Sequence, residues 1–492
     1  MVGASELWQQ MRYLMPEGLL LCAGLVILLF DLVVKKGRSL YPLAMLATAG
    51  AAALALLPLE SSEPLFFGMI QSDAFARYFK VFSALAGFLV VLMSMDYKPL
   101  PARFVGEYLG ILVLALAAIM LLAESTNLLM IFLSLEFLSL SSYILVGFLR
   151  NDKKSKEASL KYFLFGAMCT AVMLYGFALL YGASGSLDLP AIKAAFANRQ
   201  NTPLTCLAML FILAGFGFKV AMVPFHAWVP DAYEGAPTPI TAFLSVGSKA
   251  GGFAVLLRVF FTVFPGLDYH PYWLAVVGVL AVFTMTVGNV IACSQDNLKR
   301  LLGYSSIAQA GYVLLGFVVM DGRFTQPAVM IYLLAYLFMN LGAFVVVIVI
   351  ANTTGQEEID DLAGLSERSP LLAWSMFIFL LSLAGVPPLG GWIGKYYIFA
   401  TLVKGYLEGL SGGNLMLWFA VALAVNSVIA AYYYFRIVKA MFFEHARERM
   451  ARPVVGGPLL TALYVSLILT FAVGLWPQPF LNWVSRMALP LL

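Results

Sequence analysis

The sequence predicts an all-α polytopic membrane protein with about 14 transmembrane helices, two inverted five-helix repeats and two broken helices. Composition, the spacing of long apolar runs and two interruptions in those runs lead to this fold class. Of the 492 residues, 62% are apolar and 11% are charged, whereas a typical soluble domain has about 25% charged residues. We therefore expect a single integral membrane domain over residues 1–492. The small net charge of +4 says little about partners, and no basic tract with interleaved aromatic residues suggests a nucleic-acid partner.

The apolar runs are long enough to cross the hydrocarbon core of a bilayer as helices. They lie near residues 16–34, 40–58, 78–96, 106–123, 126–149, 159–182, 204–223, 239–263, 271–293, 299–319, 327–351, 370–402, 413–438 and 456–476. We assign helices 1–3 to residues 1–104, a first repeat of helices 4–8 to 105–263, a second repeat of helices 9–13 to 271–438, and helix 14 to 456–492. The short connections leave no room for a separate catalytic domain.

Basic residues predict the orientation in the membrane. They cluster in loops that fall on one side, namely Lys35, Lys36, Arg38, Lys98, Arg103, Arg150, Lys153, Lys154, Lys156, Lys439, Arg447, Arg449 and Arg452. Cytoplasmic loops are enriched in lysine and arginine. We therefore expect a multi-pass protein of the bacterial inner membrane with both termini on the outer, periplasmic face.

Two apolar runs contain residues that break helices. The first has the sequence GFGFKV from Gly215 and continues to Pro224 and Pro230, and the second has GVPPLGG from Gly385 and continues to Lys395. Unpaired backbone groups at membrane depth are tolerated only in a cavity or inside protein. Paired interruptions at corresponding places in two halves indicate an inverted-repeat transporter fold.

Four ionisable residues lie well inside the apolar runs: Glu136, Lys219, Lys249 and Lys395. Each charge at membrane depth costs roughly 2.5 to 3.5 kcal/mol on the lenient insertion scale. Such groups take up and release protons, so the set predicts a proton path. Glu136, which can share its helical face with Ser139, forms the natural switching pair with Lys219. The alternative, ion pairs or snorkelling amines, stays open for each residue.

The surroundings of the lysines favour hydration. Carbonyl groups freed by the first break could accept hydrogen bonds from Lys219, and small residues leave room for water around Lys249. The hydroxyls of Tyr396 and Tyr397 could continue a polar path beyond Lys395. Residues that could hold water between the lysines are Asn289, Ser305, Ser306, Gln309 and Asn340.

Two further residues are candidate modulators. Lys161, near the start of the sixth span, is a possible neighbour of the Glu136–Lys219 pair, although a lysine at a loop edge is also often unremarkable. His226 follows the first break and is interpreted as a loop or proton-entrance residue, because Asp231 and Glu234 alone do not complete a metal site. No phosphate loop, dinucleotide fingerprint, haem ligation or nucleophile triad is present. Redox chemistry would therefore belong to a partner.

Two long stretches of the chain are specific motifs, GFGFKVAMVPFHAWVPDAYEGAPTPITAFLSVGSKAGG and DNLKRLLGYSSIAQAGYVLLG. In these stretches the chain resembles the antiporter-like membrane subunits of proton-pumping NADH:quinone oxidoreductase, respiratory complex I. The stretch LSLEFLSLSSYILVGFLR, followed by KEASLKYFLFGA, is most similar to the N-type members. The resemblance covers nearly the whole chain. Because the chain lacks a long C-terminal lateral extension, it differs from the L-type members.

The resemblance implies a role for each of the four ionisable residues. Glu136 matches the fifth-helix glutamate, Lys219 the broken-helix lysine, Lys249 the central lysine and Lys395 the terminal residue of the second broken helix. In one departure, this chain has no histidine in the spans between the central and terminal groups, so water and side chains such as Gln309 would replace it there.

The resemblance also implies partners. No cofactor is expected on this chain, whereas NAD, FMN, iron-sulfur clusters and quinone are expected on partner subunits. Other antiporter-like and small membrane subunits, a peripheral redox arm and the lipid bilayer are the expected partners. Three alternatives remain at this stage: a subunit of a multi-subunit monovalent cation/proton antiporter, a subunit of a membrane-bound hydrogenase, and a scaffold that moves no proton.

Overall fold

The computed structural model describes residues 4–34, 37–61, 63–196, 203–263, 270–319, 325–409, 413–445 and 451–489. Regular structure in these ranges is helical, and strand pairing is limited to isolated bridges such as that between Asn297 and Glu358. Four of the basic residues that predict the orientation lie outside the described residues, namely Lys35, Lys36, Arg447 and Arg449.

The described residues form a bundle of helices joined by short segments. The first half contains α1 Ala4–Met11, α2 Met15–Val34, α3 Tyr41–Leu56, α4 Ala74–Met95, α5 Val105–Glu124, α6 Leu128–Val146, α7 Lys153–Ser184, α8 Leu189–Phe196, α9 Pro203–Val220, α10 Val229–Gly235, α11 Thr238–Phe243 and α12 Lys249–Val263. The second half contains α13 His270–Ala292, α14 Leu298–Leu315, α15 Thr325–Thr354, α16 Leu365–Arg368, α17 Pro370–Ala384, α18 Gly390–Leu407, α19 Gly413–Phe443, α20 Gly457–Leu475 and α21 Gln478–Met487. A π-helical turn, Leu244–Ser248, joins α11 to α12.

Among the described residues, 12 helical segments are long and apolar enough to cross a membrane. The all-helical membrane class is therefore confirmed. Two of the predicted spans are not among the 12. The span at 299–319 corresponds to α14, which has Lys299 and Arg300 in its first turn, and the span at 370–402 is divided between α17 and α18.

Helix α15 lies at the centre of the bundle. It packs against α17, α18, α20 and α21, and its side chains from Thr325 to Ile350 are all buried. Helices α2, α7 and α19 lie at the periphery and expose large apolar side chains, including Leu29, Leu164 and Val428. Such outward apolar faces are expected where lipid replaces water.

Both predicted interruptions are present. Helix α9 ends at Val220 and α10 begins at Val229, whereas α17 ends at Ala384 and α18 begins at Gly390. The residue after each first segment has a left-handed backbone, with φ of 64° at Ala221 and 89° at Gly385. This conformation ends a helix and is normally adopted by glycine. The chain therefore leaves both helices in the same way.

The two breaks also share their sequence spacing. A proline follows the left-handed residue by three positions in each break, at Pro224 and Pro388. A tryptophan follows each proline by four positions, at Trp228 and Trp392. The two breaks are thus built on one pattern.

Candidate functional site

Three lysines are buried inside the bundle. Lys219 is 1% exposed, Lys249 is 3% exposed and Lys395 is 5% exposed. Within the described part of the chain, none of them has an acidic oxygen within 4.0 Å of its ammonium nitrogen. Neutral polar groups contact all three amines instead.

Lys219 contacts α6 through a serine. Its Nζ donates a hydrogen bond to Ser139 Oγ at 3.1 Å. Glu136 lies three residues before Ser139 on the same helix and is partly exposed. Its Oε1 has no hydrogen-bond partner among the described residues. Ser139, rather than Glu136, is thus the direct partner of Lys219 in this structure.

The first break is closed by an indole. Trp228 Nε1 donates to the backbone oxygen of Phe218 at 3.1 Å. The indole is buried and stacks on the ring of Tyr162, with centroids 4.2 Å apart. The expectation that freed carbonyls accept hydrogen bonds from Lys219 is therefore wrong for this carbonyl. The rigid indole occupies it, and the flexible amine reaches a hydroxyl on α6.

Lys249 begins α12, directly after the π-helical turn. Its Nζ donates to the backbone oxygen of Ser306 at 2.8 Å and also contacts the hydroxyl of Ser306. The hydroxyl of Tyr233 lies 3.2 Å from Ser306 Oγ. Asn340 of α15 donates to Ser245 Oγ in the π-helical turn at 2.6 Å. The small residues around Lys249 thus admit the polar edge of α14.

Hydrogen bonds continue from α14 towards the second break. Ser305 Oγ lies 2.5 Å from the hydroxyl of Tyr434. Gln309 Nε2 donates to the hydroxyl of Tyr434 at 3.3 Å and to the backbone oxygen of Leu383 at 3.0 Å. The hydroxyl of Tyr332 donates to Gln309 Oε1. Gln309 is therefore the centre of a polar network that joins α14, α15, α17 and α19.

Lys395 lies in the second turn of α18, just after the second break. Its Nζ donates to the backbone oxygen of Ala384, the last residue of α17, at 2.9 Å. The amine also lies over the ring of Tyr312, 4.4 Å from its centroid, where the π electrons attract a cation. Asn289 Nδ2 donates to the hydroxyl of Tyr312 at 3.0 Å, and the hydroxyl of Tyr433 donates to Asn289 Oδ1 at 3.1 Å. At the second break, therefore, the carbonyl of Ala384 accepts a hydrogen bond from Lys395.

The two tyrosines after Lys395 differ in position. Tyr396 is exposed and stacks on Trp392. Tyr397 lines a cavity of about 400 Å³ together with Gln478 and Asn482 of α21. Of the two, only Tyr397 borders this cavity.

Lys161 lies in a charged surface pocket. Its Nζ is 2.8 Å from Asp231 Oδ2 and 2.7 Å from Glu157 Oε1. Arg300 contacts the other oxygen of Asp231 at 2.8 Å, and the pocket has a volume of about 230 Å³. Although burial opposes ionisation, hydrogen bonds from Lys161 and Arg300 hold the pKa of Asp231 below its usual value. The direct ionic partners of Lys161 in this structure are Asp231 and Glu157, and not Glu136.

His226 lies in the segment between α9 and α10. Burial lowers the pKa of its imidazole, although the backbone of Pro224 favours the protonated form. The ring is therefore neutral near pH 7, and its Nδ1 has no hydrogen-bond partner in the described ranges. These ranges also contain no group of three His, Cys, Asp or Glu side chains arranged to hold a metal ion.

Several buried polar residues were not singled out from the sequence. The hydroxyls of Tyr312, Tyr332 and Tyr434 belong to the networks at Gln309 and Lys395. A second set forms ion pairs at the end of the bundle where α4 begins, between Lys80 and the acids Glu17 and Glu124, and between Arg258 and Asp73. The rule that selected Lys219, a charge within an apolar run, would also have found Lys80.

The broken helices and buried lysines belong to a known class of membrane protein. The profile of the family described as "NADH:quinone oxidoreductase/Mrp antiporter, TM" matches residues 125–429. This stretch is more than half of the chain and contains Glu136, Lys219, Lys249 and Lys395. The class is thus that of the antiporter-like membrane subunits.

Similarity to individual proteins shows which branch of this class the chain belongs to. The chain is 41% identical to NADH-quinone oxidoreductase subunit N of Anaeromyxobacter sp. (strain Fw109-5), over 98% of this chain and 96% of the relative. It is 32% identical to a chain of respiratory complex I from Thermus thermophilus, with a TM-score of 0.79 over 96% of this chain and 100% of that one. A chain of the Mrp complex from Dietzia sp. DQ12-45-1b shares the fold, with a TM-score of 0.82 at 20% identity over 98% of this chain and 97% of that one. The chain belongs to the family of NADH-quinone oxidoreductase subunit N.

Proposed function

We propose that this chain is a proton-translocating membrane subunit of respiratory complex I, in which Glu136, Lys219, Lys249 and Lys395 form the relay. Quinone reduction in other subunits drives the transfer. The observation that carries this proposal is the burial of three lysines, none with an acidic oxygen of a described residue within 4.0 Å, and the hydrogen-bonded polar side chains between the central and terminal lysines. A buried amine of this kind can change its charge when hydration or a nearby charge changes.

The relay begins at Glu136 and Lys219. A nearby carboxylate favours a charged amine, whereas desolvation favours a neutral one. A change in the distance from Glu136 to Lys219 therefore loads or unloads the amine, with Ser139 as its resting partner. Lys161 acts on this region indirectly through Asp231, and the neutral His226 lies at the proton entrance.

The later steps use the neutral polar network. Protons pass from Lys249 by way of Ser306, and then by water and the side chains around Gln309, to Lys395. Asn289 and Asn340 hold water or orient their neighbours along this route. The cavity beside Tyr397 leads onward to the outer face.

The proposed architecture has two inverted five-helix repeats, over residues 105–263 and 271–438, with helices 1–3 before them and helix 14 after them. The equal spacing of the left-handed residue, proline and tryptophan in the two breaks supports this division. The span count rises to about fourteen when α14 and the pair α17 and α18 are each taken as spans. The uneven distribution of basic residues supports termini on the outer face of a bacterial inner membrane.

The driving chemistry belongs to partners in this proposal. NAD, FMN, iron-sulfur clusters and quinone bind other subunits, including the peripheral arm, and other membrane subunits flank this chain. The similarity to the chain of respiratory complex I from Thermus thermophilus supports this assembly. The chain of the Mrp complex is only 20% identical, so this similarity supports a shared fold and does not support cation exchange.

The test uses the intact complex in proteoliposomes. Lys219→Met and Lys395→Met each remove one amine with little change in side-chain length, and both should depress proton translocation per NADH oxidised. Lys439→Met, which replaces an exposed lysine of α19, is the control and should leave the ratio unchanged. An unchanged ratio in both relay variants would contradict the mechanism and favour a scaffold role.

A further inference from the structure

A buried charged cluster lies outside the proposed relay. It consists of Glu17 in the first turn of α2, Lys80 in the second turn of α4 and Glu124 at the end of α5. The three residues are 1%, 3% and 0% exposed. They lie at the end of the bundle where α4 begins, beneath the segment that joins α3 to α4.

The contacts of Lys80 define the geometry of the cluster. Its Nζ lies 2.5 Å from Glu124 Oε1 and 3.1 Å from Glu17 Oε1. The amine also donates to the backbone oxygen of Tyr13 at 3.1 Å and to Ser72 Oγ at 3.4 Å. One ammonium group therefore forms ion pairs with two carboxyl groups at the same time.

The charged residues around the cluster do not neutralise its net negative charge. Arg258 forms a bidentate pair with Asp73, with both nitrogen–oxygen distances at 2.8 Å, so that pair is neutral by itself. Arg77 pairs with Glu60 near the surface at 2.9 Å. With both carboxyls of the cluster ionised, one negative charge would remain uncompensated among three buried side chains. Two acids that share a site of this kind commonly hold one proton between them.

The unpaired oxygens support the same conclusion. Lys80 contacts Oε1 of each acid, whereas Oε2 of Glu17 and Oε2 of Glu124 are buried and receive no hydrogen bond from any described residue. A buried acceptor without a donor is costly. A proton on one carboxyl removes the excess charge and also supplies an O–H donor.

We propose that the Glu17–Lys80–Glu124 cluster holds one exchangeable proton and releases it to water on the membrane face where α4 begins. In the release step the O–H bond of the carboxylic acid breaks, its electron pair stays on the carboxylate, and water accepts the proton. Renewed uptake from the protein interior restores the acid. The cluster is thus a proton-binding site separate from the four relay residues.

A hydrogen bond from α12 connects the cluster to the helix that carries Lys249. Arg258 Nε donates to the backbone oxygen of Ala123 at 2.8 Å, the residue before Glu124. Arg258 lies on the helix that begins with Lys249, so movement at Lys249 can reach the cluster through one helix. The role as an outlet for protons that leave Lys249 rests on the proposed relay, whereas the presence of the bound proton does not.

Infrared spectroscopy of the assembled complex tests the bound proton. Glu124→Gln and Glu17→Gln each leave a neutral Glu–Lys pair, so each should assemble and lose the band of one protonated carboxyl group. Glu60→Gln, on the same face but paired with Arg77 at the surface, is the control and should keep the band. Retention of the band in both cluster variants would overturn the proposal. Failure of both variants to assemble would also count against it, because a balanced pair is easier to bury than the triad.

Proton translocation in the same preparations tests the outlet. Glu124→Gln should lower the protons moved per NADH oxidised, and Glu60→Gln should not. Loss of the infrared band with an unchanged ratio would overturn the outlet role. If Lys219→Met and Lys395→Met leave pumping intact, the relay fails, yet the infrared result still decides whether the cluster holds a proton.

Discussion

Trp228 supplies the hydrogen bond that closes the first break, and replacing it tests how that break is stabilised. Trp228→Phe keeps an aromatic ring against Tyr162 but removes the donor to the backbone oxygen of Phe218. The Phe218 oxygen still accepts a hydrogen bond from the backbone N–H of Ala221 at 3.2 Å, so the substitution removes one of its two hydrogen bonds, which costs about 0.5–1.5 kcal/mol. This corresponds to a factor of about 2–13 in the equilibrium between the closed and open states of the segment. The upper part of the range is expected because the membrane interior offers no water as a substitute.

Trp392 provides a matched control for this substitution. It holds the corresponding position in the second break, where its ring stacks on Tyr396 and, within the described residues, its indole nitrogen makes no hydrogen bond. Trp392→Phe should therefore change local stability little. The assay is the rate of limited proteolysis of this subunit in the purified complex, under conditions where cleavage follows the open population. Equal rates for the two variants would refute the argument that the indole closes the break.

Two further predictions concern ion pairs. Arg258→Met leaves the partly buried Asp73 without its bidentate partner, and we expect a loss of about 3–5 kcal/mol in the free energy of unfolding. The double variant Arg258→Met with Asp73→Asn should recover part of this free energy, as measured by denaturation of the complex. If the double variant is no more stable than Arg258→Met, the loss is not a charge effect. Asp231→Asn should weaken thermal stability at pH 7, by less than about 1 kcal/mol because the carboxylate is 32% exposed. Because the pKa of Asp231 in the folded protein lies below its usual 3.8, this stabilisation is present above pH about 4 and is lost as the pH falls through the folded pKa. The difference in thermal stability between Asp231→Asn and the parent protein should therefore shrink in acid.

The parts of the fold that depend on local chemistry could be predicted from the sequence. Proline lacks the backbone N–H that a helix interior needs, and so the breaks before Pro224 and Pro388 could be predicted. Long apolar runs likewise predicted the membrane class, and the long motifs predicted the family, which the comparisons confirm. The roles of the four ionisable residues stay predictions.

The contacts between helices could not be predicted in the same way. Whether Lys219 reaches Ser139 or Glu136, which lie three residues apart on one side of α6, depends on how α6 is rotated against α9. The tyrosines gave no signal because Tyr332 and Tyr434 look the same in sequence as tyrosines at a membrane interface. Helix α14 was counted as an ordinary span, although its serines and Gln309 make it the polar helix of the bundle.

The central position of α15 limits how the two halves can move. This helix of 30 residues is about 45 Å long at 1.5 Å per residue, and no side chain from Thr325 to Ile350 reaches the surface. It contacts the π-helical turn of the first half through Asn340 and Gln309 of the second half through Tyr332. A slide or rotation of α15 would disturb both contacts together. We therefore expect the polar groups of the two halves to change together whenever α15 moves.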